Sequence, residues 1–250
     1  MGLSKQASLL FLPILESINQ TFCGFEKKEA SLLPDCSVLN SGFSHKNSNN
    51  KALSFIEQNE IMPYLDFGYE QRIFQHGFIA TRNNNWHDFF NAMVWRSFAK
   101  TKSAINAIHY QESQNQQSTI RSRKRDLLTL FDESGVIVIA NNVILEAIKN
   151  HDWQRVFVEN KAAWLNGEIQ IITFGHALYE KYLNPYIGLT AHALFLDKSY
   201  DDLDNILGNG ILNGQILNYK SELSPLPLLG IPEWHHNQDA AFYANIHYFR

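Results

Sequence analysis

Between Trp86 and His192 the chain interleaves histidines, carboxylates and arginines with aromatic residues, a mixture that is costly to bury without polar partners. His87, Asp132, His176 and His192 are the groups that could do acid/base chemistry. A histidine titrates near working pH, so each one suits a general acid, a general base or a metal ligand. Asp132 and Glu133 stand side by side before Ser134, where adjacent carboxylates suit general-base work or an oxygen-rich metal site. Arg121, Arg123 and Arg125, with Lys124 among them, form a basic run whose guanidinium forks match phosphate or carboxylate. Glu180 follows His176 by one helical turn and joins these as a ligand-binding candidate.

Each of these groups also has a plainer use. Asp88, beside His87, favours a helix N-terminus through capping and the helix dipole. Asp132 and Ser134 suit a turn, where short polar side chains bond the local backbone. A basic run is ordinarily a solvated face, and buried histidines are commonly satisfied within a core. A divalent metal is one candidate cofactor, yet the spacing His176-x3-Glu180-x11-His192 is no recognised zinc pattern. Neither Cys23 nor Cys36 has the setting of a nucleophile, and the sequence holds no glycine-rich phosphate loop and no serine elbow.

The elements that must position these groups follow from periodicity. Trp86, Phe89, Phe90, Met93, Val94 and Phe98 keep helical spacing, with Asn85 as the N-cap. Thr101 is placed to cap a second helix through Ile105 and Ile108, with a polar loop over Gln111 to Ser118. Leu127 to Phe131 and Val136 to Ala140 are two apolar runs across Asp132-Glu133-Ser134-Gly135, the pattern of a β-hairpin, with a helix over Leu127 to Phe131 as its rival. Ile169 to Phe174 reads as a strand running into Gly175-His176, which puts His176 at the start of a helix ended by Pro185. Leu189 to Leu196 is a further strand, with His192 on the face of Thr190 and Leu194. Helices are also expected at Ala7 to Ile18, Ala52 to Glu60, Asn142 to Asn150, Asp152 to Trp164 and Asp201 to Leu212. Leu39 to Asn50 reads as a polar surface loop, Tyr69 to Ile79 is open between a helix and an extended arm, and the proline-rich tail from Pro225 reads as irregular.

These elements make an α+β fold, a single compact domain in which a small sheet with a β-hairpin is surrounded by helices. At 250 residues and 45% hydrophobic content the chain can bury a large core as one domain, with residues 1–60 as an N-terminal subregion. The net charge of −4 gives no strong nucleic-acid signal, so anion binding must be local. No apolar run reaches membrane-spanning length, and Pro13 and Glu16 interrupt the first apolar stretch where a signal peptide would not. Two cysteines are too few for a disulfide framework, and a cytoplasmic protein is expected.

Five blocks, taken in order, carry a family likeness: NWHDFFNA from Asn85, RDLLTLFDESG from Arg125, FGHALYE from Phe174, TAHAL from Thr190 and PLPLLGIP from Pro225. Together they resemble a bacterial family known as domain of unknown function 3025, from about Tyr69 to the C-terminus. Glu233 is a departure, standing where the family pattern has glycine. The resemblance implies a compact bacterial protein and transfers no catalytic assignment. From the residue types, the expected function is a hydrolase-like enzyme acting on a small anionic ligand, phosphate-bearing or otherwise. Arg121, Arg123, Arg125 and Glu180 would bind that ligand, and His87, Asp132, His176 and His192 would supply the chemistry. The alternative is a non-catalytic binding or assembly protein whose histidines are structural.

Overall fold

The computed structural model describes residues 33–114, 122–197 and 199–250. The expected helix at Ala7 to Ile18, Cys23 and Arg121 lie outside these residues. In chain order the elements begin with α1 (Cys36–Asn40), β1 (Ser54–Glu57), α2 (Tyr69–His76), β2 (Phe78–Thr81), α3 (Trp86–Ser97) and α4 (Ala99–Gln114). They continue with α5 (Arg123–Ser134), β3 (Gly135–Ile139), α6 (Asn142–Lys149), a π-helical turn (Gln154–Glu159), α7 (Lys161–Leu165) and β4 (Gln170–Thr173). The last are α8 (His176–Tyr182), β5 (Thr190–Leu196), α9 (Leu203–Leu212), β6 (Ser224–Pro227) and α10 (Ala240–Tyr243). The class is α+β, with small sheets and helices around them, as the periodicity implies.

The chain packs as two compact units. One comprises Leu130–Asp201 and Tyr219–Arg250, and is called the sheet unit below. The other, the helical unit, comprises the described part of Pro13–Thr129 together with Asp202–Asn218.

In the helical unit β1 and β2 pair in parallel, Ser54 opposite Phe78. The helix expected over Ala52 to Glu60 is therefore a strand. Its inner residue Phe55 is 1% exposed and its backbone exchanges two hydrogen bonds with the Asn40 side chain, at 2.8 Å each, which a helix could not present. The stretch Leu39 to Asn50 is also less of a surface loop than its polarity suggests. Asn47 is buried and donates to the carbonyls of Ile73 and Phe74, so its amide closes the end of α2. Tyr69 to Ile79 resolves into both open alternatives, α2 followed by β2, joined through Gly77 at φ 79°. Helix α4 begins two residues before Thr101. Asp204, in the first turn of α9, accepts from the backbone N–H groups of Lys100 and Thr101 at 2.9 and 2.8 Å, so the cap is supplied from another helix.

The sheet unit holds four strands in the order β4-β3-β5-β6, with β3 antiparallel to β4 and parallel to β5, and β5 antiparallel to β6. All five residues of β3 are buried, which explains a run of GVIVI without alternation. The expected β-hairpin does not form: α5 runs straight into β3 at Gly135. Helical spacing wins because Leu127, Leu128 and Phe131 are buried together while Thr129 and Leu130 are only half-buried, where a strand would bury 127, 129 and 131 alike. The fourth strand is β6, in the tail expected to be irregular. Its prolines are tolerated because β6 is an edge strand: Leu228 N–H bonds Leu189 in register with the Leu226–Ala191 pair, so Pro225 and Pro227 turn their nitrogens away from β5. The helix expected over Asp152 to Trp164 is divided into the π-helical turn and α7. Among the described residues no helix is long and apolar enough to cross a membrane.

Candidate functional site

Asp132, Glu133 and Ser134 form the last turn of α5, not the tip of a hairpin, and two glycines bring that turn against the start of α8. A Cβ on Gly135 would run into the ring and carbonyl of Phe131, four residues back, so only glycine lets α5 stop and β3 begin there. A Cβ on Gly175 would lie 2.5 Å from the backbone nitrogens of both Ser134 and Gly135. With no side chain there, Gly175 N–H donates to the Gly135 carbonyl at 2.8 Å and Phe174 N–H to the same oxygen at 3.1 Å. Beneath this junction the rings of Phe131 and Phe174 stack with centroids 4.7 Å apart, both fully buried.

The junction sets His176 between two carboxylates. Its side chain is 5% exposed, with Nδ1 3.8 Å from Asp132 Oδ2 and Nε2 3.7 Å from Glu133 Oε2. The two acids thus approach opposite edges of one imidazole. Asp132 is 20% exposed at its side chain and Glu133 43%, so the Glu133 side is the one more open to solvent. Behind the ring, Tyr179 donates from its hydroxyl to the Thr173 carbonyl at 2.7 Å, and the Tyr182 hydroxyl lies 3.3 Å from Thr173 Oγ1. Burial pushes both phenols well above their ordinary range, so they are fixed, neutral supports for α8.

His192 enters from β5, whose register places it opposite Gly135. Its Nδ1 lies 2.9 Å from Ser134 Oγ, and the same hydroxyl donates to the Leu130 carbonyl at 2.9 Å. A hydroxyl has one proton to give, so Ser134 accepts from His192 Nδ1–H and the basic lone pair of the neutral ring is on Nε2. Burial holds the His192 pKa below its ordinary value, and the positive charges of Lys220 and Lys181 push it further in the same direction. Ser134 is accordingly a prop for His192 and not a nucleophile activated by it.

His87 is half-buried in the first turn of α3, in the helical unit, beside the Asn85 N-cap. Asp88 keeps its structural role: it accepts from Arg82 Nε, Nη2 and backbone N–H at 3.0, 2.7 and 2.6 Å. Arg123, exposed, and Arg125, half-buried, occupy the first turn of α5, in the helical unit. Glu180 is exposed on α8, one turn beyond His176. Lys181 and Lys220, whose charges lower the His192 pKa, were not legible in that role. Lys181 shares α8 with His176, but nothing in the sequence separates it from any surface lysine, and Lys220 arrives from 28 residues beyond His192 through a short 3-10 turn.

Residues 53–250 match a family described as "Protein of unknown function (DUF3025)". The chain belongs to that family. The match takes in every residue of the His176 and His192 sites and begins earlier than the sequence blocks suggest, at β1 instead of Tyr69. No curated protein and no solved structure matches the chain significantly. Glu233 adopts φ 71°, the left-handed conformation that glycine takes at no steric cost.

Proposed function

We propose that the sheet unit is the catalytic part of a hydrolase-like enzyme acting on a phosphate-bearing or other anionic substrate. The observation that carries this reading is the placement of buried His176 with a carboxylate facing each ring nitrogen. That arrangement suits a proton-transfer group with one acid, Asp132, on its Nδ1 side and a working edge on the more open side, at Glu133. His176 takes a proton from the attacking water as its oxygen bonds to phosphorus or to an acyl carbon, and the departing oxygen leaves with a proton from the medium. The charges of Lys181 and Lys220 act on His192 and favour an anion on that side, opposite in sign to the two carboxylates at His176, in a chain whose overall charge is −4 and offers no global attraction. The proposed location is the cytoplasm, in keeping with Cys36, a free thiol that burial pushes up to about 11.

Turnover of p-nitrophenyl phosphate and p-nitrophenyl acetate by the purified protein tests this. A hydrolase should lose about 10²- to 10⁴-fold in kcat on His176→Gln. Absence of turnover across phosphate and carboxylate esters, or turnover that His176→Gln leaves untouched, ends the enzyme reading. A non-catalytic binding protein is the second reading, and one feature favours it: Leu183, Tyr186 and Ile187, between α8 and β5, are 48–54% exposed, which suits a partner surface. Loss of a co-purifying protein on Tyr186→Ser would support it, and unchanged recovery of such a protein would remove it.

A further inference from the structure

We infer that Glu133 and His176 are two ligands of a divalent transition-metal centre, with Asp132 orienting the imidazole from its other side. The inference deepens the site proposed above and rests on the same residues: where Nε2 of His176 holds an ion it has no lone pair for a proton, and the metal would supply the activation of water in its place. Its argument begins with a distance. Glu133 Oε2 and His176 Nε2 are 3.7 Å apart, too far for a hydrogen bond and close to the spacing that a shared ion imposes. Two donors each ~2.1 Å from a tetrahedral ion stand about 3.4 Å from one another.

The donor types narrow the metal. One imidazole nitrogen and one carboxylate oxygen suit Zn²⁺, Co²⁺ or Ni²⁺, whereas Ca²⁺ and Mg²⁺ take oxygen almost exclusively. The second carboxylate is where such a centre needs it. Metal-bound histidines are usually held from their remaining nitrogen by a carboxylate, which fixes the tautomer that leaves the other nitrogen for the ion. Asp132 Oδ2 lies on that side, 3.8 Å from Nδ1, an ion-pair distance that a small side-chain movement would shorten to a hydrogen bond. Rigidity supports the arrangement too. His176 is 4% exposed and is set by the Gly175 approach to Ser134 and Gly135, while Glu133 is half exposed and can close on an ion arriving from solvent. The two protein donors leave further coordination positions open to water and substrate, one protein donor fewer than catalytic zinc centres ordinarily carry.

Co²⁺ titration of the chelator-stripped full chain, followed by visible absorption and calorimetry, tests the inference. The vicinal pair His235 and His236, with ring centroids 4.3 Å apart, offers a second set of imidazole donors, so the titration is run in the H235Q/H236Q background. One equivalent of Co²⁺ should bind there, with affinity falling at least tenfold in His176→Gln and in Glu133→Gln, and by about tenfold in Asp132→Asn. Binding that disappears with the His235 and His236 substitutions, or that survives either ligand substitution unchanged, overturns the inference. Should His176→Gln fail to fold by circular dichroism, Glu133→Gln decides the matter, because that side chain is 43% exposed and carries little of the packing. Metal binding is read without substrate. A protein that binds Co²⁺ but hydrolyses nothing upholds the centre and removes the hydrolase, and ester hydrolysis by a protein that takes up no Co²⁺ does the reverse.

Discussion

Ser134 accepts a hydrogen bond from His192 because its own proton is committed to the Leu130 carbonyl one turn earlier in α5. This fixes a tautomer. In long-range ¹H–¹⁵N spectra at neutral pH, His192 should show a protonated Nδ1 and an unprotonated Nε2. The opposite assignment would show that the hydroxyl is oriented otherwise. Ser134→Ala should destabilise the protein by about 1 kcal/mol and free the ring to exchange tautomers.

The depressed pKa of His192 has a sign that can be checked. The folded protein favours the neutral ring, so the stabilisation is complete above 6.5, the ordinary value, and is lost as pH falls through the lower folded value. The urea midpoint should therefore drop between pH 7.5 and pH 5.5 by more in the wild-type protein than in His192→Gln. Equal drops would mean that the ring titrates normally.

Gly175→Ala tests whether the junction beneath His176 is as close as it appears. The added methyl would sit 2.5 Å from two backbone nitrogens, and backbone cannot step aside as a flexible side chain does. A loss of about 3 kcal/mol or more in chemical denaturation is expected, at the upper end of overpacking costs. Glu233→Gly is the contrasting change: relief at φ 71° is offset by the greater freedom of glycine in the unfolded chain, and stability should move by less than about 1 kcal/mol.

Asp88 should behave as a structural acid. Burial alone would raise its pKa, but hydrogen bonds from the side chain and backbone of Arg82, together with its charge, hold it below 3.8. Its contribution is thus present above 3.8 and disappears as the pH falls through the folded value. Asp88→Asn should cost about 1–2 kcal/mol at pH 7, at the lower end of charged hydrogen bonds because the Arg82 side chain is 52% exposed, and should flatten the acid limb of the stability curve.

Asp204 should be worth more than its place in α9 suggests. It takes two N–H groups at the start of α4 and also accepts from the Thr101 hydroxyl at 2.7 Å. Asp204→Ala should cost about 2 kcal/mol in urea denaturation, and a change within about 0.5 kcal/mol would show that water caps α4 equally well.

The long helices were legible because one face of each is apolar at helical spacing. Trp86 to Phe98 became α3 with the expected Asn85 cap, and Asn142 to Asn150 became α6 within a residue. The His176 environment was legible in part: the strand running into Gly175-His176 was apparent, as were the paired acids. What the sequence hid was the contact between them. A strand of Leu127 to Phe131 would have placed Asp132 and Glu133 on a free turn, whereas the helix aims both at a histidine more than forty residues later. The pattern of five residues, four of them apolar, cannot separate these outcomes, since the choice depends on what buries Leu128. The cap on α4 was hidden for a related reason. Thr101 has the composition of an N-cap, but the group that bonds the helix start comes from 103 residues further on.

The prolines of β6 reach beyond the fold of a single chain. An edge strand is ordinarily an invitation, a row of donors on which a neighbouring copy can lay a strand of its own. Here the outward positions 225 and 227 have no N–H to offer, so on this side the four-stranded sheet is a poor seed for growth from molecule to molecule.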